Sequence, residues 1–137
     1  MAETKNKELI CRSVEEFYNT GDMGAIDRLF APDYVHHQPP TIQDMQQFRQ
    51  ACTGIFAAFP DLKITIYDLF ESGDVVTKRW TATGTHKGEF MGVPASGKAI
   101  DADGISIYRI VGDKIAECWE VMDALTLMQQ IGAIPTP

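Results

Sequence analysis

The chain has 137 residues, 45% of them hydrophobic, which is enough for one domain with a substantial core, and the span 1–137 reads as a single domain. Its 12 basic and 19 acidic residues leave a formal charge of −7 without a basic cluster, so its field repels nucleic acid and anionic membrane surfaces, and neither is an expected partner. Cys11, Cys52 and Cys118 are odd in number and lack C-x-x-C spacing, which argues against a disulfide framework and a zinc knuckle.

The opening "MAETKNKELI" is charged and polar where an export signal is apolar, and no membrane-spanning run follows, so the expectation is a cytoplasmic protein. Ile10, Val14, Phe17 and Tyr18 recur at helical spacing, predicting a first helix over about residues 5 to 19 that stops at Gly21. Asp22 caps a shorter second helix with Ile26, Leu29 and Phe30 on one stripe, and Pro32 ends it. A short strand, "DYVHH", follows. Thr41 and Asp44 resemble a capping box, and Met45, Phe48, Cys52, Ile55, Phe56 and Phe59 keep helical spacing as far as Pro60. The period then changes to two. Leu62, Ile64 and Ile66 alternate with polar residues, "SGD" at Ser72 to Asp74 marks a turn into "VVTKRWTATGTH", and "AIDADGISIYRI" and "KIAECWEVMD" are joined at Gly112-Asp113. A last helix runs from Ala124 to Ile131 and closes at Gly132.

Helices first and hairpin-connected strands second predict an α+β domain with an antiparallel sheet. Its strands are long, so the sheet must curve, with Gly84 and Gly104 as places to bend, and helices across the open side enclose a cone-shaped cavity.

"RWTATGTHKGEFMGVPASG" (79–97) and "GISIYRIVGDKIAECWEVMD" (104–123), with "FYNTGDMGAIDRLFAPDYVHHQPP" and "FAAFPDLKITIYDL" before them, resemble the SnoaL-like polyketide cyclase, or ester cyclase, family of the NTF2-like superfamily. The resemblance implies a cone-shaped barrel, a homo-oligomer (dimer or tetramer), and a cavity for a small hydrophobic molecule. It implies intramolecular aldol ring closure of a polyketide ester by an aspartate acid/base, with no metal or organic cofactor. Asp123 stands where that aspartate is expected and His37 where the family has a histidine. The sequence departs from the family at His36-His37 for Asp-His, Glu117-Cys118-Trp119 for Glu-His-Trp, and Pro94-Ala95-Ser96-Gly97 for Pro-Pro-Thr-Gly.

Aldol closure needs a base near the α-proton and donors near the oxygen that becomes negative. Period two assigns Ile115, Glu117, Trp119, Val121 and Asp123 to one face of the last strand and Ala116, Cys118, Glu120 and Met122 to the other. The first set, an apolar wall with two carboxylates, suits a substrate cavity. Asp123 also stands where it can cap the last helix, so both roles are open. Glu117 needs a donor, with Arg79 or Arg109 on a neighbouring strand as candidates for a structural ion pair. Only one of His36 and His37 can face the cavity. With His86 the chain has three histidines, too few in this pattern to predict zinc. His86, Trp80, Trp119, Phe17, Tyr34 and Arg79 complete the candidate substrate contacts. The alternatives are an epoxide-hydrolase-like enzyme using an Asp-Arg-Asp group (Arg79 or Arg109 with Asp101, Asp103 or Asp123), a ketosteroid-isomerase-like enzyme, and a non-catalytic binding protein.

Overall fold

In the computed structural model, residues 4–38, 42 and 44–136 are described. Helix α1 spans Lys5–Ser13, with the Thr4 side chain accepting from Lys7 N–H at its start, and continues into a π-helical turn, Val14–Tyr18. Together they form the predicted first helix. Helix α2 is Ala25–Leu29 and ends one residue before Phe30, which is extended and opens strand β1, Phe30–His37. Pro32 therefore lies inside a strand instead of stopping a helix. It is tolerated because β1 is an edge strand and its register breaks between Phe30 and Val35. Helix α3, Met45–Ala58, is capped by Asp44, whose carboxylate accepts from Gln47 N–H at 2.8 Å. Thr41, the other half of the expected capping box, lies outside the described residues.

Strands β2 (Lys63–Ser72), β3 (Val75–Thr85), β4 (Ala99–Val111) and β5 (Lys114–Met122) form an antiparallel meander, and helix α4 (Ala124–Gln130) follows. The sheet order is β1-β5-β4-β3-β2, with β1 joining β5 in parallel, the one departure from the antiparallel expectation. Pairing runs unbroken through Gly84 and Gly104, so the irregularities fall elsewhere, between Ile66 and Asp68 on β2 and between Arg109 and Ile110 on β4. Gly104 instead gives space. A Cβ there would lie 2.3 Å from Cζ2 of Trp80, whose indole crosses the backbone of β4.

The helices pack on the inner face of this curved sheet. Phe17, Phe30, Tyr34 and Phe48 meet edge-on or tilted, with centroids 4.8–6.2 Å apart, and fill the layer between α1, α2, α3 and the sheet. Burying each contributes roughly 1.5–3 kcal/mol. At the other end α4 closes the molecule with Leu127 and Ile131 against Ala58, Phe59, Ile100 and Ala102. Among the described residues no helix is long and apolar enough to cross a membrane.

Candidate functional site

The β4–β5 hairpin determines which side chains reach the interior. Gly112 (φ 56°) and Asp113 (φ 62°) make a two-residue turn that pairs Val111 with Lys114 and Ile110 with Ile115. The next pair is Arg109 with Glu117, so Ala116 is an extra residue, a β-bulge, and the strand changes face. Ile115 points inward before the bulge. After it, Cys118, Glu120 and Met122 point inward, while Glu117, Trp119 and Val121 face out.

The inner faces of the sheet and α3 enclose a cavity of about 130 Å³. Its walls are mostly apolar, with Ile55, Phe59, Leu62, Ile64, Trp80, Ala82, Ile100 and Leu127 among them, and its polar side chains include Tyr18, His36, Gln38, Lys78 and Glu120. Ser106, wholly buried, accepts from Trp80 Nε1–H at 2.9 Å and donates to Glu120 Oε1 at 2.8 Å. Glu120 Oε2 lies 3.5 Å from His36 Nε2, which is also 3.2 Å from Gln38 Oε1. His36 Nδ1 is 2.7 Å from the Tyr34 hydroxyl. The Tyr34 hydroxyl meets Nδ1 and the Nε2–H of His36 is directed toward Gln38 and Glu120, so both ring nitrogens have partners. Lys78, 2% exposed, places its ammonium 5.2–5.6 Å from the ring centroids of Tyr18, Trp80 and Tyr108.

Desolvation pushes the Glu120 carboxyl up, but the hydrogen bond and electrostatic attraction of His36, the Lys78 charge and the Ser106 hydroxyl outweigh it and hold the group below its ordinary range. Burial pulls Lys78 down to about 8, with the Glu120 charge opposing. At neutral pH the cavity thus holds a carboxylate, a cation poised to lose its proton, and a histidine between two partners.

The expected inward set is corrected by the bulge. Asp123 is exposed at the start of α4 and accepts from Thr126 Oγ1 at 2.6 Å and Thr126 N–H at 3.1 Å. Those bonds, the hydroxyl's first, hold its carboxyl below the usual range, so the geometry builds a helix cap. His37 lies on the outer face, 2.6 Å from Glu117 Oε2 and stacked on Trp119 at 5.2 Å. Glu117 also accepts from Arg109 Nε at 3.0 Å, the ion pair expected of it, though outside the sheet instead of inside. The His37 bond, with Arg109 behind it, lowers the Glu117 carboxyl. Arg79 is outside too, bonded to Asp68 and lying over the Tyr67 ring.

Of the remaining candidates, Trp80 lines the cavity and Tyr34 stands one layer behind it, on His36. Phe17 belongs to the core. His86 is buried off the cavity, where Nδ1 accepts from Ser96 N–H at 3.2 Å and lies 2.8 Å from Ser96 Oγ, and its ring packs on Phe59, so it pins the loop between residues 86 and 96. No arginine or aspartate is among the described cavity-lining residues, which leaves the Asp-Arg-Asp arrangement without its parts. Among the described residues no group of three or more His, Cys, Asp or Glu is placed to hold a metal ion.

Glu120, Lys78 and Ser106 were missing from the candidates, and of the pair His36-His37, only one of which can face the cavity, it is His36 that lines it rather than the expected His37. Straight alternation continued from Ile115 puts Glu120 outside. The usable signal was charge pairing, because matching Arg109 with Glu117 across the hairpin requires the extra residue and turns Glu120 inward.

This architecture has known counterparts. The sequence model of the SnoaL-like polyketide cyclases matches residues 8–131. The chain belongs to that family. Aklanonic acid methyl ester cyclase DnrD of Streptomyces peucetius is 27% identical over 134 residues, covering 93% of this chain and 92% of DnrD. Among solved structures, AclR from Streptomyces galilaeus superimposes with a TM-score of 0.88 at 29% identity, over 97% of this chain and 84% of that one. TsrD from Streptomyces laurentii gives 0.87 at 30% identity, over 98% and 99%. The fold of this SnoaL-like chain is the NTF2-like one, mixed α+β with a curved five-stranded sheet.

Proposed function

We propose that this SnoaL-like chain is a polyketide-cyclase-type enzyme that closes a ring in a small hydrophobic carbonyl compound by acid/base chemistry of its own side chains. The observation carrying this reading is Glu120, the one carboxylate among the described cavity-lining residues, bonded to Ser106 and facing His36. Glu120 takes the proton from carbon next to a carbonyl, and His36 Nε2–H donates to the oxygen on which negative charge develops. The carbanion adds to a second carbonyl of the same molecule, forming the C–C bond. The new alkoxide then recovers a proton from the Glu120–His36 pair, so the sequence is a net isomerisation. Apolar walls exclude water from the reactive carbanion. A second copy of this chain is the proposed partner, on the outer sheet face.

Aklanonic acid methyl ester, which DnrD's name identifies as its substrate, is the test compound. The wild type should cyclise it and, in D2O, place deuterium at the attacking carbon. Glu120→Gln should slow cyclisation by about 10²–10⁴-fold, the range for losing a positioned acid/base. Asp123→Asn, which keeps a capping side chain, should leave the rate within about threefold, far less than such a loss. Equal rates for Glu120→Gln and wild type would refute the assignment.

A further inference from the structure

The acid/base reading leaves Lys78 without a covalent role, yet its setting is unusual for a lysine. Inward-facing positions on β3 are Val76, Lys78, Trp80 and Ala82, so a cation sits in an otherwise apolar row. It has the faces of three aromatic rings around it, and Glu120 acts on it through space. Ordinary lysines keep their heads in water by extending the stem outward. Lys78 is 2% exposed and opens only onto the cavity.

We propose that Lys78 is an amine nucleophile that forms an imine with an aldehyde or ketone admitted to the cavity. The inference shares with the proposed function only the premise that the cavity takes carbonyl compounds. The Nζ lone pair attacks the carbonyl carbon, making the C–N bond as the C=O π electrons move to oxygen. That oxygen takes up the Nζ proton as the C–N bond forms, giving a carbinolamine. Expulsion of hydroxide, with a second proton leaving nitrogen to form water, yields the imine and one water. No oxidant or further reactant is needed.

Three features favour this chemistry. Desolvation disfavours the ammonium and so favours the neutral, nucleophilic amine. The groups facing Nζ from the surrounding elements are Tyr18 from the π turn, Tyr108 from β4, Cys118 and Glu120 from β5, Cys11 from α1, and, behind Glu120, His36 from β1. Of these Glu120 is the one carboxylate, and it acts on Nζ through space. The rings that contact the cation also make a dry wall for the imine, which slows its hydrolysis.

The test is reductive trapping with benzaldehyde and sodium cyanoborohydride, which adds hydride to the imine carbon and leaves a stable benzylated secondary amine. Benzaldehyde is chosen because a dry cavity of about 150 Å³ holds a benzene ring. At pH 8 about half of Lys78 is neutral, given its position near 8, against under about 1% of an exposed lysine. Peptide mapping should find Lys78 benzylated at least ten times faster than exposed Lys63, Lys87 and Lys98. Labelling at Lys78 should rise as pH passes from 7 to 9. Lys78→Met, which keeps an unbranched chain among the rings, and Lys78→Arg, which keeps the charge, should both lose the fast adduct while retaining the wild-type circular dichroism spectrum. Labelling of Lys78 no faster than that of the exposed lysines would overturn the proposal, as would fast labelling that persists elsewhere in both variants. Cyclisation of aklanonic acid methyl ester without trapping would discard the imine and keep the acid/base reading, and trapping without cyclisation would do the reverse.

Discussion

Glu117 and Glu120 stand three positions apart on β5 and belong to different solvents. Glu117 faces outward between His37 and Arg109, half in water, where an ion pair contributes little to stability. Glu120 is largely buried against a mostly apolar cavity, where each hydrogen bond carries more weight and an unmatched charge costs more. Lys78 shows that cost in titration. Folding lowers its pKa from 10.5 to about 8, so below pH 8 the group is protonated in both states and adds no slope to stability. Between about 8 and 10.5 the unfolded chain binds a proton that the folded chain does not, and stability contributed by this group rises with pH. Buried Cys52, pushed up to about 12, and the buried tyrosines act in the opposite sense above pH 9, but they are common to wild type and Lys78→Met. The unfolding free energy of the wild type minus that of Lys78→Met should therefore increase by up to about 3 kcal/mol from pH 7.5 to 10.5. Urea titrations at several pH values measure it, and a flat difference would show that the amine is not desolvated.

At the scale of elements, what was legible in the sequence depended on whether the signal was local. Helices α1, α3 and α4 follow from apolar spacing and caps, and the Gly112-Asp113 hairpin from turn chemistry, because each needs only neighbouring residues. The end of α2 was misplaced because Phe30 continues the helical stripe but is claimed by pairing with Ile115, a contact across 85 positions that no window contains. β1 joining β5 in parallel is equally non-local. The bulge at Ala116 is a single-residue event with a large consequence, since period two converts one extra residue into a reversal of every later side chain on the strand. That is why the candidate wall of Glu117, Trp119 and Asp123 lies outside, while Trp80, on the regular strand β3, faces the cavity. The NTF2-like cone was available through the family resemblance, which registers whole-chain patterning and is insensitive to one bulge.

For the whole molecule, the reversed strand gives the sheet two distinct faces. Inside is the cavity. Outside, Ile107 pairs with Trp119 and Ile105 with Val121, and these four side chains are 39–76% exposed in one strip. The strip is flanked by Arg109–Glu117 and Arg79–Asp68, pairs of both signs that can meet their own copies across a twofold axis. A second copy of this chain is therefore the proposed occupant. Light scattering should give twice the chain mass of 15.2 kDa, and Val121→Glu, at a position 76% exposed in the single chain, should give the monomer with an unchanged spectrum. A wild-type monomer at tens of micromolar would contradict the dimer. The central claim is that the face carrying Glu120, Lys78 and His36 receives the small molecule, and the chain's two tryptophans report on it directly, because Trp80 lines the cavity and Trp119 lies outside. The most direct measurement is a titration of ¹⁵N-labelled protein with acetophenone, following the two indole N–H resonances. The Trp80 signal, from the N–H bonded to Ser106, should shift progressively and saturate while that of Trp119 stays fixed; a saturating shift at Trp119 with Trp80 unmoved would contradict the assignment.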